Sequence, residues 1–253
     1  MPFTISHAAA VLPLSRTGLP VAALMIGSMS PDFAYFVPDG PGLLSHTLPG
    51  LFQFCWPVSL CAWLVFVHLL ETPTLALLPD GWRGVFAPSD RALSTRNFAL
   101  ASVAVILGAA THIFWDSFTH ANTPMVDQLP TLETAHIGLL GKQFPLFRFL
   151  QHLSTVVGLA ALGVWVAFLK RSRSAATDQP AHVRAATHAE RVLALLLVLA
   201  LSALLGIGGY LEVPELPLGR RLFHGAIGGM TGVAVAWISL AIWLQLRFRA
   251  RRG

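Results

Sequence analysis

The sequence predicts an all-α, polytopic membrane protein: a helix bundle of about five full spans preceded by a short or re-entrant helical segment. Three observations carry that reading. Hydrophobic residues make up 55% of the chain and charged residues only 11%, where a soluble domain carries about a quarter charged. The mean hydropathy is +0.65. The apolar residues also gather in runs of about twenty, the length that crosses a bilayer core.

Residues 1–50 precede the first full run. Ser6–His7–Ala8–Ala9–Ala10 leads into short apolar stretches broken by Pro13, Pro20, Pro31 and Pro38. The run from Leu19 to Ser30 is too short to cross directly, so it reads as a short helix or re-entrant segment. It ends in the turn-rich Gly27–Ser28–Met29–Ser30–Pro31–Asp32–Phe33, and Ser45–His46 follows ahead of Pro49. The first span is predicted over about Leu51–Leu70, with Pro57 in its first turns, followed by a polar loop at 71–96. The second runs over about 97–120, a loop follows at 121–148, and the third runs from Phe149 to Leu169. A basic linker extends through residue 190; the fourth and fifth spans cover about 191–211 and 222–246. With no internal repeat, residues 1–253 read as a single membrane domain, with the motif-bearing part in 1–155 and two supporting spans in 191–246. Gly225–Ala226–Ile227–Gly228–Gly229 suits close helix packing, since no strand precedes it to build a phosphate loop.

Charge distribution predicts orientation. Twelve of the seventeen Lys and Arg residues fall in the 71–96 loop, the 170–191 linker and the C-terminal tail. The positive-inside bias places that set, and the C-terminus, in the cytoplasm. The N-terminal fifty residues and the 121–148 loop then face outward, the periplasm if the membrane is a bacterial inner membrane. The same distribution accounts for the pI near 10.0, so no nucleic-acid partner is expected and the partner is the lipid bilayer. Cys55 and Cys61 lie six apart within one apolar run and form neither a disulfide framework nor a CxxC site. No signal-peptide cleavage pattern is evident, so Met1 is expected to be retained or only trimmed.

One stretch carries the chemistry: Thr111–His112–Ile113–Phe114–Trp115–Asp116–Ser117–Phe118–Thr119–His120. On a continuous helix, positions i, i+4 and i+8 drift by only about 40° per step and span roughly 12 Å. His112, Asp116 and His120 would then form one polar stripe. An ionised Asp in an apolar span costs on the order of 3 kcal/mol and is found where it pairs or functions. A divalent cation satisfies all three side chains, with further ligands drawn from other segments. The topology puts His7, Asp32, His46, the stripe and His152 toward one face, and these seven are the candidate metal ligands. Imidazole and carboxylate donors without thiolate suit zinc. Seven ligands exceed the needs of one ion, so one to three are expected, with Asp116 able to bridge. Glu133 and His136, three apart in the 121–148 loop, read as solvated.

Taken together, Ser6–His7, Gly27–Ser28–x–x–Pro31–Asp32–Phe33, Ser45–His46, Thr111–His112–x–x–Trp115–Asp116–Ser117–x–Thr119–His120 and Gln151–His152–x–Ser154 resemble an uncharacterised family of multi-pass bacterial membrane proteins, domain of unknown function 4184. That family is similar to inner-membrane metal-dependent hydrolases. The ligand order also resembles, more distantly, the zinc-dependent phospholipase C and P1-type nuclease group. That resemblance implies one metal on Asp32, His46, His112 and Asp116. It implies a second on His7, Asp116 and N-terminal backbone groups, and a third on His120 and His152. The group places a Glu four residues after its final His, where this chain has Val156, and begins at a processed Trp, where this chain has Met1.

The function expected is a membrane-embedded hydrolase acting on a phospholipid or lipid-linked phosphate, with Asp32 and Asp116 as the catalytic carboxylates. Asp32 would orient the nucleophile or act as general base. The alternative is a non-enzymatic scaffold or transporter whose polar cluster braces the bundle or passes ions.

Overall fold

A computed structural model describes residues 4–37, 42–83, 85–86, 89, 92–139, 141–173 and 185–250. The described chain is helical almost throughout. Five helices are long and apolar enough to cross a membrane: Leu48–Leu77, Thr95–Thr119, Leu146–Ser172, His188–Leu211 and Leu218–Phe248. The chain is a polytopic membrane protein by that measure. We label the elements α1 (Val21–Met29), α2 (Leu48–Leu77), α3 (Thr95–Thr119), α4 (Leu146–Arg173), α5 (His188–Leu211) and α6 (Leu218–Ala250). A two-stranded antiparallel hairpin, β1 (His136–Leu139) and β2 (Lys142–Pro145), stands before α4.

The first span is longer than the sequence suggests. It starts at Leu48 and continues through Leu77, so the polar loop begins only after residue 77. Two prolines inside it explain the discrepancy. The helix widens to π geometry over Leu51–Cys55 and Phe66–Leu70, where the Trp56 and Glu71 amides bond five residues back. Each wide turn comes just ahead of a proline, Pro57 or Pro73. Proline lacks an N–H and its ring strikes the carbonyl four residues earlier, and the looser turn absorbs both defects.

The chain divides into two compact units. The first comprises residues 1–63 and 92–169. Within it, a 3-10 segment (Thr4–Arg16), α1 and a 3-10 turn (Ser30–Phe36) gather against α3, and a second turn (Gly42–His46) packs on the first and on the start of α2. Ser94 caps α3 by accepting from the Asn97 amide. Glycines set the approach of α1 to α3. A Cβ on Gly27 would stand 2.4 Å from the Val105 carbonyl oxygen, and one on Gly108 2.3 Å from that of Leu24. Gly158 on α4 plays the same part for the N-terminal segment, where a Cβ would meet the Ser6 carbonyl at 2.7 Å. Leu51, Cys55 and Ala109 are buried together, locking the start of α2 to α3.

The second unit comprises residues 64–91 and 170–253. Its α5 and α6 pair through small residues, as the glycines of 225–229 suggest. A Cβ on Gly228 would lie 2.1 Å from the Leu205 carbonyl oxygen, and one on Gly232 2.3 Å from that of Leu201. Thr187 and Glu190 form a reciprocal capping box on α5, and Arg247 of α6 reaches Glu190 at 3.0 Å. Trp237 donates its indole N–H to Thr74 at 2.7 Å.

Candidate metal centre

The unusual N-terminal segments deliver side chains to the end of α3. His112 and Asp116 lie seven and three residues before the last residue of that helix, Thr119, hence about 10 and 5 Å below its end. His7 comes from the 4–16 segment, Asp32 from the 30–36 turn and His46 from the end of the 42–46 turn, two residues ahead of α2. The start of α2 and the end of α3 therefore share one side.

Four ligand atoms form a closed ring. His46 Nε2 stands 3.3 Å from Asp32 Oδ1 and 3.8 Å from Asp116 Oδ2. His112 Nε2 stands 3.7 Å from the same Asp32 oxygen and 3.2 Å from the same Asp116 oxygen. On the other side of Asp116, His7 Nε2 lies 3.5 Å from Oδ1. The His7 ring stacks on that of His112 with centroids 3.7 Å apart. The grouping reaches across more than a hundred residues of sequence.

Neighbours outside the ring orient it. His112 Nδ1 faces the Ser28 carbonyl at 2.8 Å. A carbonyl only accepts, so the proton sits on Nδ1 and Nε2 presents its lone pair inward. His46 is held in the same sense. The Ser45 hydroxyl donates to the Gly42 carbonyl at 3.0 Å and lies 3.0 Å from His46 Nδ1, which donates to it in turn. Asp32 accepts the Thr4 hydroxyl on Oδ2 at 2.6 Å, which leaves Oδ1 for the ring.

Ring nitrogens and carboxylate oxygens thus face one another in two overlapping groups, His7 with His112 and Asp116, and Asp32 with His46 and His112. His7 Nε2, His112 Nε2, Asp32 Oδ1 and Asp116 Oδ1 are all buried without a hydrogen-bond partner. Buried polar atoms are nearly always satisfied, so four orphans at one place call for a cation. The spacing suits a metal ion. The ring edges run from 3.2 to 3.8 Å, and the donor atoms of each group lie within 4.8 Å of one another. These His and Asp groups fit a divalent metal. Locking Nδ1 to a carbonyl or hydroxyl is the usual outer arrangement of a metal-bound imidazole.

Charge states around the ring follow from burial and from the neighbouring groups. Burial, with His112 alongside, pulls His7 down to about 4, so its imidazole is a neutral donor at pH 7. Burial alone would push the Asp32 carboxyl up, but the facing His46, His112 and Thr4 outweigh it and hold it below the ordinary carboxylate range. Burial and the charges of Asp32 and Asp116 push the Tyr35 phenol up to about 12, keeping it a neutral donor. Its ring lies 6.3 Å from that of His46.

The remaining two candidates lie differently. His120 is not the third rung of a helical stripe. Its backbone is extended (φ −128°, ψ 142°), because α3 ends at Thr119. The ring folds back, with Nδ1 3.5 Å from Asp116 Oδ2 and 3.3 Å from the Asp116 carbonyl, while Nε2 meets the Gln151 amide nitrogen at 3.0 Å. Burial lowers its imidazole despite the Asp116 charge. His152 is exposed and meets only the edge of Phe144 at 6.1 Å among its ring contacts. Adjacent helical residues point about 100° apart, so only one of Gln151 and His152 can face α3, and it is Gln151, 7% exposed. The structure does not bring His120 and His152 together on one ion. N-terminal backbone groups of residues 1–3, invoked for a second metal, lie outside the described residues, as does His182 of the basic linker. Glu133 and His136 are exposed, away from the cluster.

Sequence reasoning missed Thr4, the Ser28 carbonyl and Tyr35, and overlooked what Gly27 and Gly108 do. Of these, only the two glycines left a trace in the sequence, as small residues on segments otherwise rich in large apolar ones.

The fold and cluster define an integral membrane protein with a buried His/Asp centre in its N-terminal half. Residues 1–242 match the model of a domain of unknown function, DUF4184, and the chain belongs to that family. No curated protein and no solved structure matches the chain.

Proposed function

We propose that this protein is a membrane-embedded, zinc-dependent hydrolase that cleaves the phosphoester of a phospholipid or lipid-linked phosphate from the external leaflet of a bacterial inner membrane. The observation that carries this reading is the ring of Asp32, His46, His112 and Asp116, two carboxylates and two lone-pair imidazoles at ligand spacing in a buried setting. A bound zinc supplies Lewis acidity toward a phosphoryl oxygen and lowers the pKa of water.

The chain's own residues do the rest. His46 and His112 donate lone pairs fixed by Ser45 and Ser28. Asp32, steadied by Thr4 on Oδ2, would hold the metal through Oδ1 or, where it is not a tight ligand, orient the attacking water or act as its general base. Asp116 presents one oxygen to the ring and the other to His7, the arrangement a bridging carboxylate needs. His46, with 19% of its side chain exposed, is the least buried of the four, so substrate approaches on its side. The neutral Tyr35 phenol lies on the same side, its ring 6.3 Å from that of His46. The depth of the cluster below the end of α3 favours a headgroup presented by a lipid over a soluble ester.

The test is elemental analysis of protein purified without chelator, followed by assay against phospholipids and isoprenoid phosphates. At least one zinc per chain is expected, and His112→Ala and Asp116→Ala should lose both metal and activity while keeping wild-type helicity. A protein that neither carries nor takes up zinc would instead support the scaffold or transporter reading.

A further inference from the structure

The β1–β2 hairpin is amphipathic, and much of its apolar side is exposed. Strand pairing sets Ile137 opposite Phe144 and Leu139 opposite Lys142, while His136 pairs with Pro145 and Gly138 with Gln143. Side chains alternate across a strand, so Ile137, Phe144, Leu139 and Lys142 share one face and Gly138 and Gln143 the other. Ile137 is 36% and Leu139 50% exposed, and all four β1 residues are exposed. An isolated two-stranded hairpin is marginal in water, and one showing water its apolar side is worse.

Its neighbours indicate what covers that side. The Leu146 amide donates to the Ala135 carbonyl at 2.8 Å, closing the base of the hairpin on the first residue of the α4 span. Beneath the base, Val126, Leu132 and Phe147 are buried with Phe118, in the last turns of α3. The hairpin therefore stands where two spanning helices reach the membrane surface. Phe144 lies edge-on to His152, and His152 shares a helical face with Val156, 66% exposed on an apolar span. The apolar side of the hairpin thus continues the lipid-facing flank of α4.

We infer that the 136–145 hairpin is a membrane-interface element whose Ile137–Leu139–Phe144 face beds into the boundary between lipid headgroups and acyl chains, with Lys142 reaching the headgroup phosphates. The cation fits that depth, since a lysine stem lies along apolar surface while its ammonium stays among the headgroups. The unpaired strand edges fit it too, because their N–H and C=O groups find water at the interface but not in the hydrocarbon core. The occupant is the bilayer itself, and the placement is independent of whether the cluster holds a metal.

Full-length protein in nanodiscs of phosphatidylcholine and phosphatidylglycerol tests this. In a Cys61→Ser background, where the remaining Cys55 is buried, Leu139→Cys and Gln143→Cys are each labelled with the environment-sensitive fluorophore NBD. Emission at 139 should be blue-shifted relative to 143, with iodide quenching at least threefold weaker. Quenching at 139 equal to or greater than at 143 would overturn the inference. A matched pair in which Leu139 alone becomes accessible on transfer to lipid-free amphipol would confirm that lipid, and not protein, provides the cover.

Discussion

Ser45 shows how the nitrogen an imidazole offers depends on what its other ring nitrogen meets. Its side chain is fully buried, and its hydroxyl, committed to the Gly42 carbonyl, has only a lone pair to offer His46 Nδ1. That fixes the tautomer. Ser45→Ala should leave the fold intact and weaken zinc binding by about 10-fold, the low end for losing such a partner, as read by competition with a chromogenic chelator. His7 makes a pH prediction. Its pKa falls from 6.5 to about 4 on folding, so the unfolded chain binds its proton first. Stability from this residue is fully present above about pH 6.5 and drains away as pH falls toward 4. In chelator-treated protein, the melting temperature should drop between pH 7 and 5, and less steeply in His7→Gln. Identical slopes in the two proteins would contradict the assignment.

At the scale of elements, the site depends on how closely α1 lies against α3. The Ser28 carbonyl reaches His112 only because Gly27 and Gly108 let the two backbones nearly touch. Gly27→Ala forces a methyl to within 2.4 Å of the Val105 carbonyl oxygen. Overpacking of that kind costs about 1–3 kcal/mol, and here it also moves α1 outward. Loss of bound metal with nearly unchanged helical circular dichroism is the expected result. Gly163→Ala on α4, with nothing within 4 Å of its Cβ, should change neither. The helix periodicity of α3 was plain in the sequence, and so was the pairing of His112 with Asp116. The end of α3 was legible to within a residue, about 120 against Thr119, but that one residue takes His120 off the helical stripe.

Across the whole molecule, all the cluster residues belong to the first compact unit. The second unit has its own fastenings, among them the Thr187–Glu190 capping box and the Glu190–Arg247 pair. Glu190→Gln weakens both, and a cap of this kind is worth about 1 kcal/mol. It should therefore lower the melting temperature while leaving zinc per chain at the wild-type value. A parallel loss of metal would show that the centre draws on the second unit.

Composition and the length of the apolar runs were enough to establish a multi-span helical membrane protein, because a bilayer demands internally satisfied backbone and about twenty apolar residues per crossing. Topology and motif pattern then singled out seven candidate ligands, His7, Asp32, His46, His112, Asp116, His120 and His152. The tertiary structure decided which of them meet. Helix phase turned Gln151 inward and His152 out, the end of α3 folded His120 back onto Asp116, and two glycines set the distance at which a backbone carbonyl could choose a tautomer. Those are matters of angle and contact between segments far apart in the chain, and local pattern does not encode them.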